Sequence, residues 1–497
     1  MLDFVDAKVN LGNLLLVIAI LASFFVMLAP FNWPLFIIFL IFIFMLTILS
    51  IENGLVLLIF FIIFGTYKQI GILNNQAIFL ANIVILPILL ALFVRFLFSK
   101  EKLVFKNKLF CVVFLLIAGY MSFLAAERFF HFLGVFQSPL EAFKSTFFSH
   151  NRFFVNMIES FSLTGLLMLV RKFDIEKFFN WVLLFTVLVA LLGLFQHFSA
   201  INFPFDKGHA GYIVNENFAR AYGTFNRADA YGGFHNVFAG FLNLVVPFVL
   251  ILYINQPDRK KRSLLAMAFF ITAAGLFSTI SRAGMLAFSS VFVFSVIYYL
   301  IKGNNHTKKT LGAAFIILLI AIIPFVLNGT LFERFSGKPS PVQSLATTSP
   351  SDSLSVLSDQ NIGKRWFLYE SAYSIIQDNF WFGIGSWNYK HASEKYGLSE
   401  DDIRSFHNLY LQIWVEAGIV ALALFLATLL LFLIVCFKCY RNIFVLASFA
   451  SVLTFALHNL FDNFFGHGIQ FLFAILIAIP FILYDRNETG DRFHHSG

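Results

Sequence analysis

The chain has 497 residues, 59% of them apolar, 18% aromatic and only 12% charged. A soluble domain carries about 25% charged residues, so a soluble enzyme, a disordered chain and a fibrous protein are excluded. At about 20 apolar residues per crossing, this composition supplies on the order of a dozen membrane spans, and the net charge of +8 is to be read from where the basic residues fall.

Apolar runs lie at 11–29, 33–49, 54–66, 77–98, 109–126, 152–170, 178–198, 232–254, 263–280, 283–301, 310–327, 408–437, 443–460 and 467–484. They predict an all-α fold, a polytopic integral membrane helical bundle of 12 to 14 spans. Leu11 to Ala29 lacks a small-residue cleavage site before Pro30 and reads as a retained helix, not a signal peptide. The second and third runs share a turn at Glu52, Asn53 and Gly54. That fits a tight hairpin or a pair dipping part way into the bilayer, hence the two counts. The 70 Phe residues have no period and read as packing and lipid-facing bulk. Cys111, Cys436 and Cys439 lie within or at the ends of predicted spans, which argues against a disulfide, and the CxxC lacks the second pair a zinc site needs.

Five short connections, 99–108, 171–177, 255–262, 302–309 and 438–442, hold 16 Lys and Arg in 38 residues, with four acids. The positive-inside rule keeps such loops cytoplasmic. Charge therefore reports orientation and not a nucleic-acid partner, and both termini are expected in the cytoplasm. The outer connections 127–151, 199–231 and 328–407 are long, and connections beyond about 15 residues usually carry function or are disordered. In the last, Ser336 to Gln360 is rich in Ser, Thr and Pro and reads as mobile. From Lys364 to Asn379, Trp366, Tyr369, Tyr373 and Ile376 recur at helical spacing, predicting an amphipathic helix on the outer membrane surface. The expected division is residues 1–200 as N-terminal transmembrane helices, 201–437 as a core containing the loop 328–407, and 438–497 as C-terminal transmembrane helices with a short cytoplasmic tail.

Polar groups collect at the outer boundary. Arg282, in Ser278-Thr279-Ile280-Ser281-Arg282-Ala283-Gly284, joins two apolar helices with almost no loop. It can snorkel to lipid headgroups or hold a phosphate in a bidentate guanidinium fork. Lys364-Arg365-Trp366 opens the amphipathic helix after Gly363, where free N–H groups and the positive dipole end would reinforce an anion site; the plainer reading is a base on surface phospholipid. His407-Asn408 stands where the long loop meets the twelfth run, so His407 is a candidate proton acceptor or a helix cap. Glu416 lies at membrane depth and requires a polar partner in the bundle. His458, Asp462 and His467 cluster at the last outer turn, with no metal-ligand spacing.

Together, Ser281-Arg282-Ala283-Gly284 between two spans, a long outer loop, and His407-Asn408-Leu409-Tyr410-Leu411 running into Glu416-Ala417-Gly418 resemble the bacterial O-antigen ligase and O-antigen polymerase superfamily, most closely a ligase. Arg220-Ala221-Tyr222-Gly223-Thr224-Phe225, followed by His235-Asn236 and an apolar run containing Pro247, is similar to another shared segment. The resemblance spans about residues 215 to 435 and implies a glycosyltransferase in the bacterial inner membrane, with its site facing the periplasm, that serves lipopolysaccharide biosynthesis. Such proteins transfer a glycan from undecaprenyl pyrophosphate to an acceptor hydroxyl, here expected on lipid A core, with no cofactor, nucleotide sugar or metal. Carried over by position, His407 is the catalytic histidine, and Arg282 and Arg365 bind pyrophosphate. Asn408, Glu416, Arg220 and Asn236 stand as supporting residues. Two guanidinium groups holding the leaving pyrophosphate can replace a divalent cation.

An O-antigen polymerase and a protein O-oligosaccharyltransferase share these motifs and differ in acceptor. A lipid-linked glycan flippase is the rival from another class. Transporters show paired repeats and charge at the bilayer midplane, whereas the polar residues here gather at one face.

Overall fold

The computed structural model describes residues 11–28, 32–65, 69–73, 76–98, 108–135, 138–139, 152–169, 173–199, 213–215, 218–219, 221–225, 234–331, 360–385, 395–396, 398, 406–465 and 468–488. The helices are α1 (Leu11–Leu28), α2 (Trp33–Leu49), α3 (Ile51–Phe64), α4 (Leu80–Leu97), α5 (Lys108–Val135), α6 (Arg152–Leu169), α7 (Ile175–Ser199), α8 (Phe234–Asn255), α9 (Arg259–Ser278), α10 (Arg282–Lys302), α11 (Asn305–Leu327), α12 (Gln360–Asp378), α13 (Leu409–Lys438), α14 (Ile443–His458) and α15 (Ile469–Glu488). The chain is all-helical as expected apart from two short antiparallel hairpins among the described residues, β1 (Gln69–Leu73) with β2 (Gln76–Phe79) and β3 (Ile213–Asn215) with β4 (Phe218–Ala219). They sit in connections, where alternating apolar patterning over so few residues gives no usable period.

Among the described residues, seven helices are long and apolar enough to cross a membrane: α4, α7, α8, α9, α10, α11 and α13. Seven further apolar helices are shorter. The outer faces of the bundle are apolar too: Phe25 is 64% exposed, Ile38 62% and Leu327 81%. A water-soluble fold does not leave such broad apolar surfaces open, so this is a membrane protein.

α8 is the central helix, buried along almost its whole length. It packs most extensively on α14 and α9, with α10 and α11 beside it. α2 and α3 meet at Ser50, whose hydroxyl caps α3 by accepting from Asn53 N. Glu52 in that turn accepts the N–H of Asp174 at 2.8 Å, bringing the α2–α3 turn to the bundle end that carries the connection before α7. Cys436 and Cys439 are buried free thiols.

α12 is amphipathic in a different sense from the sequence expectation. Its buried stripe is Leu368, Ala372, Ile375 and Ile376, packed against Ile384, Leu398, Phe406 and Val415, while Trp366 and Tyr373 point outward. The 3.6-residue period fits both sets, and packing against α13 selects the aliphatic one.

Candidate active site

α13 does not run unbroken from the outer loop. Gly418 adopts φ 77° and ψ 177° inside it, and the break would leave buried carbonyls unpaired in apolar surroundings. They find partners elsewhere: Val415 O accepts Ile384 N at 2.8 Å, Glu416 O accepts Gly385 N at 2.9 Å, and Ala417 O accepts the Tyr120 hydroxyl at 2.9 Å. In return Ile419 N donates to Phe380 O at 3.0 Å. The segment after α12 is thus laced onto the break. A Cβ on Gly418 would lie 2.0 Å from Trp381 O, and one on Gly383 would lie 2.5 Å from the Glu416 carbonyl carbon. Both glycines have positive φ, so the close approach and the backbone shape each demand glycine.

Glu416, 1% exposed, has the partner the sequence required: Gln412 Nε2 donates to its Oε1. Gln412 Oε1 in turn accepts the N–H of Phe406 at 3.1 Å. Glu416 is therefore linked through Gln412 to the backbone next to His407. Asn408 caps α13, its Oδ1 accepting Leu411 N at 3.0 Å, and its Nδ2 donates to Leu460 O at 3.0 Å. The N–H of Leu409 donates to Asn459 O and Asp462 O. These bonds fasten the start of α13 to the turn after α14.

His407, held between Phe406 and that cap, is half-buried, and its Nδ1 lies 3.2 Å from Asp462 Oδ1. Asp462 Oδ1 also accepts Asn463 N at 2.9 Å. Burial alone would raise the Asp462 carboxyl, but the hydrogen bond and charge of His407, the charge of His458 and the Asn463 N–H outweigh it and hold the group at about 2. An ionised Asp462 favours the His407 tautomer that carries its proton on Nδ1, the nitrogen facing the carboxylate. Tyr369 of α12 places its hydroxyl 3.5 Å from the His407 carbonyl. Burial pushes this phenol up, the Arg365 charge pulls it down and the Asp462 charge raises it, so Tyr369 lies within the fields of both.

Arg365 sits in the second turn of α12, not at its start. The helix begins at Gln360 and runs through Gly363, so the expected support from free helix-start N–H groups does not reach Arg365. One glycine inside a helix costs about 1 kcal/mol, too little to fix a boundary. Arg282 is the first residue of α10 and is half-buried. Ser281 caps that helix, its Oγ accepting Gly284 N at 3.3 Å and donating to Asn236 Oδ1 at 2.8 Å. Asn236 thereby ties α8 to the turn before Arg282. Arg220 and His467 lie outside the described residues.

Sequence reading passed over Asn243. In α8, fully buried, it donates through Nδ2 to Gly284 O at 3.1 Å and contacts His458 Nδ1 at 2.9 Å. A polar link thus leads from the Arg282 turn to His458, which neighbours Asp462. An amide in the middle of the run 232–254 is the signal that marks it, since such groups at membrane depth need partners. Also unanticipated is strain: among the described residues, Ile280 (φ 54°) and His407 (φ 48°) are the non-glycine positions with positive φ. Ile280 is β-branched and fully buried, a conformation costing on the order of 1–3 kcal/mol. Ile280 lies two residues before Arg282, and His407 is itself a candidate residue.

The family model described as O-antigen ligase matches residues 267–426, from α9 to the middle of α13. Over these residues the chain is similar to the O-antigen ligase family. The match contains Arg282, Arg365, His407, Asn408 and Glu416, and the break at Gly418. Asn236 and Asn243, on α8, and His458 and Asp462, at the end of α14, are brought to this ligase segment by the fold. No curated protein matches the chain. That similarity associates the matched segment with glycan transfer at a membrane and with lipid-type substrates.

Proposed function

We propose that the protein is an O-antigen ligase of the bacterial inner membrane, moving a glycan from undecaprenyl pyrophosphate to a hydroxyl of lipid A core on the periplasmic face. The observation that carries this reading is the His407–Asp462 pair, 3.2 Å apart at Nδ1, at the mouth of the segment that the family model matches; proton uptake is assigned to His407 Nε2. The acceptor oxygen attacks the anomeric carbon as its proton passes to His407 Nε2. The bond from that carbon to the pyrophosphate oxygen breaks, and its electron pair leaves with the pyrophosphate. Attack opposite the leaving group inverts the anomeric centre. Asp462 stabilises the imidazolium that forms. Arg282 and Arg365 bind the pyrophosphate through planar paired contacts as charge develops on it. Asn236 and Asn408 hold the two backbone turns, Glu416 acts through Gln412, and Arg220 is assigned a supporting role from its motif.

The test is transfer with purified protein, undecaprenyl-pyrophosphate-linked glycan and lipid A core. A new glycosidic product on lipid A core supports the ligase. Product formed only on a second lipid-linked glycan replaces it with a polymerase, and donor movement across a bilayer without product replaces it with a flippase.

A further inference from the structure

At the bundle end opposite His407, a cavity of about 520 Å³ opens between α7, α8, α9 and the start of α14. Helix direction fixes its place. α8 runs from Asn236 at the site to Asn255 at the cavity, and α14 from Ile443 at the cavity to His458 at the site. At 1.5 Å per residue, the rim at Asn255 lies about one bilayer core from Asn236, and the cavity reaches back along α8 to Val245. The walls are apolar, formed by Leu183, Val245, Leu252 and Leu265 with the stacked rings of Phe179 and Phe248, whose centroids are 3.8 Å apart.

Polarity is confined to the rim: Asn180, Asn255, Gln256, Glu176 and Lys261. Lys261 opens into the run Arg259-Lys260-Lys261-Arg262 at the start of α9. Glu176, 3.9 Å from Lys261, and the helix-capping Asp258 offset part of that charge. The charged residues lining the mouth are Lys261 and Glu176, and the adjacent Arg259, Lys260 and Arg262 against Asp258 make its surroundings cationic. Such a cavity accepts a hydrocarbon chain along its depth and an anion at its rim, and ligand cavities commonly fall at about 300–1,000 Å³.

We infer that this cavity binds one anionic phospholipid, with an acyl chain between Phe179, Leu183, Phe248 and Leu265 and the headgroup phosphate at Lys261. The occupant enters from the leaflet at the basic end of the bundle. Charge complementarity selects an anionic headgroup over a zwitterionic one, because basic residues between membrane helices attract anionic lipid by about 1 kcal/mol each. The inference is independent of the transferase reading, since none of these residues belongs to the candidate active site.

The full chain in detergent is examined by native mass spectrometry and by thermal unfolding with added dioleoyl phosphatidylglycerol or dioleoyl phosphatidylcholine. Wild type is expected to retain one phosphatidylglycerol and to be stabilised more by it than by phosphatidylcholine. Leu183→Trp and Leu265→Trp fill the cavity and should abolish both effects. Lys261→Gln, an exposed change that leaves the walls intact, should weaken phosphatidylglycerol binding about fivefold and remove the preference between the two lipids. An unchanged preference in Lys261→Gln overturns the proposal even if the tryptophan variants do not fold. So does undiminished retention in folded tryptophan variants, or recovery of an isoprenoid lipid in place of the phospholipid.

Discussion

Asp462 Oδ1 lies 3.2 Å from Nδ1 of His407, across 55 positions of sequence. The carboxylate reaches the imidazole because Asn408 and Leu409 bind the backbone of residues 459–462. Asp462 is accordingly a positioning residue for His407. In Asp462→Asn the amide can still accept from Nδ1, but the charge that stabilises the imidazolium is gone. Turnover should fall by about 10²- to 10⁴-fold, with donor KM nearly unchanged. Unaltered kcat would detach Asp462 from the reaction.

The same carboxyl sets an acid limit on stability. Its folded value of about 2 lies below its ordinary 3.8. The ionised group therefore stabilises the fold above that ordinary value, and its contribution is lost as pH falls through about 2. Thermal unfolding followed from about pH 4 downward should drop more steeply in wild type than in Asp462→Asn.

His407→Ala should leave a folded, donor-binding protein with turnover reduced by about 10²- to 10⁴-fold. His407→Gln preserves hydrogen bonding but takes up no proton, so it should not recover the rate. Near-normal turnover in His407→Gln would assign the proton to another group.

For Arg282 the discriminating change is Arg282→Lys. It keeps the charge and loses the paired planar contact, so activity should fall at normal protein abundance, with Arg282→Ala at least as damaging. Full activity in Arg282→Ala would return this residue to lipid headgroups.

Gly418→Ala should lower folded yield more than any of these. Alanine at φ 77° is strained, and its Cβ would meet Trp381 O at 2.0 Å, so the loss expected is about 3 kcal/mol or more. Fluorescence-detected size exclusion of detergent extracts reads this directly, and a wild-type profile would contradict the tight lacing at this break.

Membrane character and the runs that became helices were readable from hydropathy, the places of Arg282 and His407 from polar residues at its boundaries, and the need of Glu416 for a buried partner from its depth in the apolar run. Orientation is testable by labelling: cysteine at Ser353 should react with an impermeant thiol reagent from the periplasm, and cysteine at Lys309 should not. What escaped reading was long-range. Asp462 was one polar residue in a cluster, and nothing local distinguished its contact with His407 from one by His458. The face of α12 was ambiguous because aromatic and aliphatic stripes share one period. Its start was misplaced because Gly363 looks like a boundary and is not one.

The lacing of residues 380–385 onto Gly418 has a further consequence. α12 is anchored from its C-terminal side, so the location of Arg365 is measured backward from the break in α13 and not forward from the end of α11. Homologous chains are then free to gain or lose residues between 331 and 360 at constant spacing from Arg365 to His407. Insertions between 366 and 378 have no such freedom, because each would carry the guanidinium around the helix by about 100°.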